Sequence, residues 1–410
     1  MIREHKKYVE AVKADLLRKK KHNKLSIEKL AAGFGIRNKN LVKELTELSI
    51  VNIAREYAHN PKLSVKQRYN SIVSLYKSQV NLSHRTSESI RLQQYSTPAP
   101  IGYLAGVFCA MDKKPNKFYF EPSAGNGLLT IASKPEWFVV NEIDDIRNAN
   151  LKTSPYRNVM KQDASKAFVG FAFQVDAVIT NPPFGVLLDR ERVGNFTTKT
   201  LDHLMAAIAL QTMKHDGKAA IIIGGHTNWD DHGRIQRGKN RDFFLWLYHN
   251  YHVMDVINID GHKLYSRQGT AFDVRLILID SRKIKPDGYP PLKKVTDVIV
   301  DSFDQLFDRV IQYVDHDVSS IVSKVIRAKE LGKKAFAHGK LRIAGNDADL
   351  LKLFKANQVG DPETIKIMTA WYVGWDNENL SLNSKNSDSL KKKSRIRIAR
   401  AKAMAKLKTL

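Results

Sequence analysis

Residues 175–185 read VDAVITNPPFG. The first six positions are apolar or β-branched apart from one aspartate, the pattern of a buried strand. Two consecutive prolines follow. Proline donates no ladder hydrogen bond, so the strand ends before Pro182 in a rigid turn. That turn carries a carboxamide, Asn181, and an aromatic ring, Phe184. On either side lie segments of the same kind. KFYF, EWFVVNEID, GKAAIIIGG, VMDVINID and DVRLILID read as strands, and TLDHLMAAIALQTMK reads as a helix. A Gly-rich turn, EPSAGNG, is expected to lead into a further helix. Apolar strands separated by helices predict an α/β fold with a doubly wound, mostly parallel sheet buried on both faces.

Four regions are expected: a helical N-terminal module over 1–90, the α/β domain over 91–283, an accessory, mainly helical region over 284–380, and a basic tail over 381–410. In the first, KKYVEAVKADLLRKKK, KNLVKELTELSIVNIAREYA and SVKQRYNSIVSLYKSQV have helical periodicity. Ser26 is placed to cap a helix through SIEKLAAGFGI, with Gly33 and Gly35 marking a turn. The chain has 67 Lys+Arg against 42 Asp+Glu, a net charge of +25, which favours a polyanionic partner. One cysteine, Cys109, excludes an internal disulfide framework and fits a reducing compartment. No stretch approaches a membrane span and the charged N-terminus is not a signal peptide, so a cytoplasmic protein without a membrane partner is expected.

In FYFEPSAGNGLLTIA, Gly125 and Gly127 let the backbone turn sharply close to a ligand. The third glycine of the dinucleotide fingerprint is absent, since Thr130 stands there, and no Gly-Lys-Ser/Thr phosphate loop exists. Glu121 ends the strand where it would repel phosphate and attract an ammonium group. Glu142, 17 positions beyond Gly125, is placed to grip a ribose diol. Asp163 could accept a hydrogen bond from an adenine amino group. An adenosine ligand with a cationic amino-acid tail and no phosphate describes S-adenosylmethionine. Upstream, Thr97 is expected to cap a helix whose first residue is Pro98, placing Tyr95 and Thr97 over the methionine end.

An exocyclic amine on a nucleobase is a poor nucleophile, because its lone pair is delocalised into the ring. Acceptors for both of its N–H groups would favour a nitrogen able to attack a methyl sulfonium. The side-chain oxygen of Asn181 and the carbonyl of Pro182, its direction fixed by Pro183, are the candidates. Phe184 offers a flat face to a base swung out of a duplex.

The ordered set QQYSTP, EPSAGNG, NEID, KQDA and NPPF resembles the gamma-type N6-adenine DNA methyltransferases, over roughly residues 90–282. The resemblance implies a Rossmann-like methyltransferase domain and transfer of a methyl group from S-adenosylmethionine to N6 of a flipped adenine. It implies that Asn181, Pro182, Pro183 and Phe184 are catalytic. Tyr95, Thr97, Pro98, Glu121, Pro122, Ser123, Ala124, Gly125, Gly127, Glu142, Ile143, Asp163, Ala164 and Asn181 would bind the cofactor. The N-terminal segment is similar to that preceding the methylase part of phage and conjugative-element methylase-helicase proteins. Two departures stand out: Glu121 where aspartate is common, and His226 where proline is common. DNA is the expected partner, with RNA as an alternative. Arg234, Arg237, Lys239 and Arg241 are candidate phosphate contacts, as are Lys391, Lys392, Lys393, Arg395 and Arg397 in the tail. RNA-adenine and protein-glutamine methylases share the turn, and an idle nucleic-acid-binding module is the rival from another class. His226, Asp230, Asp231 and His232 match no metal-ligand spacing, so no metal is expected.

Overall fold

The computed structural model describes residues 2–81, 96–113, 117–268, 271–314, 318–351, 353 and 364–381. They divide into two compact units, Met1–His316 and Asp317–Leu410.

A seven-stranded sheet organises the first unit: β1 (Tyr119–Glu121), β2 (Phe138–Asn141), β3 (Asn158–Met160), β4 (Val175–Thr180), β7 (Met213–Gly224), β8 (Tyr251–Ile259) and β9 (Val274–Arg282). Their spatial order is β3-β2-β1-β4-β7-β9-β8. Neighbours from β3 to β7 pair in parallel, while β9 runs antiparallel between β7 and β8. This is a doubly wound, Rossmann-like sheet. The chain winds outward through β1, β2 and β3, then returns to start the other half at β4. Such a reversal opens a crevice beyond the C-terminal ends of the two central strands.

The central strands read as nearly continuous apolar runs because both faces are covered. Along β7, Ala219, Ile221 and Ile223 belong to one core cluster, and Ala220 and Ile222 to the other. Helices α7 (Leu201–Thr212) and α8 (Lys239–Asn250) cover the first face. The opposite core takes residues from α1 (Arg3–Leu17), α2 (Lys24–Gly33), α3 (Lys39–Ala58), α4 (Val65–Ser78), α5 (Ala99–Phe108), α6 (Asp145–Leu151), α9 (Gly261–Leu264) and α10 (Phe303–Ile311). The N-terminal helices therefore share one core with the sheet. Cys109 is buried there, and burial pushes its thiol up to about 12.

Some local expectations are corrected. Ser26 is not the cap of α2. Asn23 is, accepting from the Ser26 N–H at 2.9 Å while the Ser26 hydroxyl accepts from the Asn23 N–H. The Gly-rich turn leads into a single 3-10 turn, Leu128–Thr130, rather than a helix. A two-stranded hairpin, β5 (Val186–Val193) with β6 (Phe196–Thr200), follows the Pro-Pro turn.

Helix α5 is buried along its whole length and meets the 3-10 turn Leu128–Thr130 through Gly102. A Cβ on Gly102 would stand 2.5 Å from the Leu128 carbonyl oxygen. The obstacle is backbone and cannot rotate away. Gly102→Ala is therefore expected to lower the unfolding free energy by ~1–3 kcal/mol, read from denaturant midpoints.

The second unit contains α11 (Val318–Ala337), α12 (Ala348–Leu351) and a helix over 364–381. Trp371 is buried among Ala328, Ala335 and Ile367, and its indole N–H donates to Asp347 at 2.9 Å.

Candidate active site

The crevice at the strand reversal is a cavity of about 430 Å³, within the usual range for small-ligand sites. Segments following β1, β2, β3 and β4 form its rim. Residues far apart in sequence meet because parallel strands carry their C-terminal ends to the same edge. Of the expected ligand-binding residues, Thr97, Pro122, Ser123, Ala124, Gly125, Glu142, Ile143, Asp163, Ala164 and Asn181 line it, together with Pro182, Pro183 and Phe184. Pro98, Glu121 and Gly127 do not line it. Tyr95 lies outside the described residues.

Gly125 and Gly127 both sit in the left-handed region, at φ 57° and 96°, which glycine adopts without steric cost. The turn is held from the next strand: the Gly125 N–H donates to Glu142 Oε2 at 2.8 Å, and the Asp144 N–H to Oε1 at 2.8 Å. Burial pushes the Glu142 carboxyl up, against the opposing pull of Arg147. Glu121 lies below the turn, fully buried. Its Oε1 accepts from the Ser123 N–H at 3.1 Å, and its Oε2 has no partner. Burial places its carboxyl well above the ordinary glutamate range. Asp163 is exposed, with Oδ1 accepting from the Ser165 N–H at 2.9 Å.

Thr97 does not cap α5, whose N-cap is Pro98. Its hydroxyl oxygen instead accepts from Asn181 Nδ2 at 2.9 Å. The carboxamide of Asn181 is thus held by its nitrogen, and its Oδ1 is buried with no hydrogen-bond partner. That leaves an oriented acceptor at the end of β4, where an unsatisfied buried carbonyl is costly without a ligand.

Phe184 also lines a second cavity, of about 530 Å³, with Thr200, Asp202, His203, Gly224 and Arg275. Arg275 is buried, and its Nη2 donates to the Gly224 carbonyl at 2.7 Å. Burial lowers its guanidinium to about 10. Asp202 Oδ2 accepts from the Gly224 N–H at 3.1 Å, while its Oδ1 and His203 Nδ1 have no partner. Burial takes His203 down to about 3, so the ring is neutral where it stacks on Phe243 at 4.3 Å.

Among the basic candidates, Arg241, in the first turn of α8, is spent on the preceding loop, bonded to Asp230 at 3.0 Å and to the Ile235 carbonyl. Arg234, Arg237 and Lys239 are exposed, and Lys239 reaches the rim of the second cavity. Lys391, Lys392, Lys393, Arg395 and Arg397 lie outside the described residues. His226 Nε2 bonds to the Ile259 carbonyl at 2.9 Å. Among the described residues no group of three or more His, Cys, Asp or Glu side chains is arranged to hold a metal, and no helix is long and apolar enough to cross a membrane.

Sequence reasoning missed Glu47 and Arg147, which also line the first cavity. Both stand in local patterns that read as solvated helix faces.

No protein-family model matches the sequence, and no curated protein matches it. Among solved structures the chain is similar to the type I restriction enzyme EcoKI M protein, at 14% identity and TM-score 0.40, over 70% of this chain and 63% of that one. It is also similar to a type I restriction-modification methyltransferase subunit from Streptococcus thermophilus, at 12% identity and TM-score 0.38, over 62% and 58%. A chain from Vibrio vulnificus YJ016, described as a modification subunit of a type I restriction enzyme, matches at 12% identity and TM-score 0.40, over 60% and 58%. The chain thus spans about three fifths of these proteins' length. At such identities the likeness is one of fold alone.

Proposed function

We propose that the chain is an S-adenosylmethionine-dependent methyltransferase acting on an exocyclic nucleobase amine, and specifically on N6 of an adenine flipped out of DNA. The observation that carries this reading is Asn181: an acceptor oxygen buried without a partner, oriented through Thr97, and followed by the ring of Phe184.

The residues present fit the cofactor. The first cavity has the volume for a nucleoside with an amino-acid tail, and its carboxylates favour cations and hydroxyl donors over phosphates. Glu142 stands where it can accept from ribose hydroxyls, Asp163 from the adenine amine. Bound there, S-adenosylmethionine would supply an electrophilic methyl group and retain the bonding electron pair at sulfur. Asn181 Oδ1 and the Pro182 carbonyl accept hydrogen bonds from the target amine and concentrate its lone pair on nitrogen. Phe184 stacks on the base, and the second cavity lies beyond its ring. The proton of the methylated nitrogen leaves to solvent. Exposed Arg234, Arg237 and Lys239 supply phosphate contacts.

Label from methyl-labelled S-adenosylmethionine is expected in N6-methyladenine after incubation with unmethylated duplex DNA and digestion to nucleosides. RNA and protein extract run in parallel. Label confined to either would overturn the DNA assignment, and none in any substrate would overturn the enzymatic one.

The ring of Phe184 lies against Gly224. An alanine Cβ there would stand 3.1 Å from two ring carbons, tight enough to shift the ring by tenths of an ångström. Gly224→Ala is expected to reduce kcat roughly three- to tenfold and leave cofactor affinity unchanged, checked by steady-state kinetics and calorimetry.

A further inference from the structure

Glu44 and Glu47 lie one turn apart on α3, and both are buried. They meet the Gly-rich loop through Asn126. One amide hydrogen of Asn126 goes to Glu44 Oε2 at 2.6 Å and the other to Glu47 Oε2 at 2.5 Å, while Asn126 Oδ1 accepts from Asn150 at 2.9 Å. Both amide hydrogens are thus used, and the carboxamide is fixed.

The two carboxylates then differ. Glu44 is matched by Arg147, whose Nε stands 2.8 Å from Oε2, with the Lys43 ammonium at 3.8 Å. Glu47 Oε1 has no partner, although the residue is 1% exposed. Arg147 also feels the charges of Glu47 and Glu142, but its guanidinium hydrogen bonds go to Glu44. An unmatched carboxylate oxygen in such a place costs several kcal/mol unless something cationic or N–H-bearing meets it. Glu47 lines the first cavity, and Glu121, the carboxylate the sequence marks for a cation, does not.

We infer that Glu47, supplied by the N-terminal helices, is the carboxylate that holds the ammonium group of the ligand's amino-acid tail. The inference rests on the cofactor reading above. The adenosine end then belongs to the Rossmann-like sheet, and the cationic end is shared with α3.

The test measures binding of S-adenosylhomocysteine and 5′-methylthioadenosine to the full chain by calorimetry. The first carries the ammonium and the second lacks the whole amino-acid tail. Glu47→Gln preserves shape and the contact with Asn126 while removing the charge. It is expected to weaken S-adenosylhomocysteine ~10–100-fold, the range for a hydrogen bond to a charged group, and to change 5′-methylthioadenosine less than about twofold. Glu47→Asp, which keeps the charge, is expected to retain most of the preference for the tailed ligand. An equal loss for both ligands in Glu47→Gln with no recovery in Glu47→Asp would overturn the inference in favour of a purely structural role. So would an unchanged preference. Failure of the unmodified protein to bind either ligand is a separate outcome, overturning the cofactor reading and the inference with it.

Discussion

Replacing Asn181 by alanine is expected to reduce methyl transfer by ~10²–10³-fold, the usual effect of deleting one oriented hydrogen-bonding group that acts on the reacting atoms. Cofactor affinity should change only a few-fold, because Asn181 is one of many residues on the cavity wall. The contrast follows from the geometry. The carboxamide nitrogen is bound to Thr97 and the oxygen has no protein partner, so under the proposed mechanism the side chain's unused capacity is left for the target amine. Asn181→Asp is a sharper control, since it keeps the acceptor oxygen and removes the donor to Thr97. Single-turnover rates with labelled cofactor, beside calorimetric affinities, measure both quantities. Turnover that survived Asn181→Ala would sink the mechanism.

Arg147→Met should be the most destabilising single change near the site, costing ~3–5 kcal/mol, the penalty for stripping the partner from a buried charge. Glu44 is left with Asn126 and the more distant Lys43. The effect should depend on pH in a defined direction. Burial alone would raise the Glu44 carboxyl, but Arg147, Lys43 and the Asn126 and Arg147 hydrogen bonds outweigh it and hold it below its ordinary 4.5. A depressed carboxyl contributes stability that is full above its unfolded value and lost as pH falls through the folded one. The gap between the unmodified and variant proteins should therefore be widest at neutral pH and narrow below about 4.5. Denaturant titrations at pH 7 and in acid test this. A gap that widened in acid would contradict the assignment.

The sheet was legible because its strands are buried on both faces. Ile221, Ile222 and Ile223 announce themselves in sequence as they pack in space. The loops were legible because parallel strands carry their C-terminal ends to one edge, so motifs spread along the chain meet at one rim. Strand β3 was not. It has three residues, none fully buried, and no apolar run. The hairpin β5–β6 carries Asp189, Arg190, Glu191 and Arg192 and reads as loop. Glu47 was hidden for a different reason. In KELTELS its charge has the spacing of a solvated face, and its hydrogen-bond partner is Asn126, 79 residues later. No local window contains both.

Phe184 belongs to the walls of both cavities. A ligand on either side that displaces the ring reshapes the other side, and thermodynamic linkage makes the influence mutual. If filling the first cavity sets the ring where a base stacks best, then a stacked base tightens the hold on whatever fills the first cavity, by the same factor. Affinity for each partner thus becomes a property of the pair, transmitted across the thickness of one phenyl group.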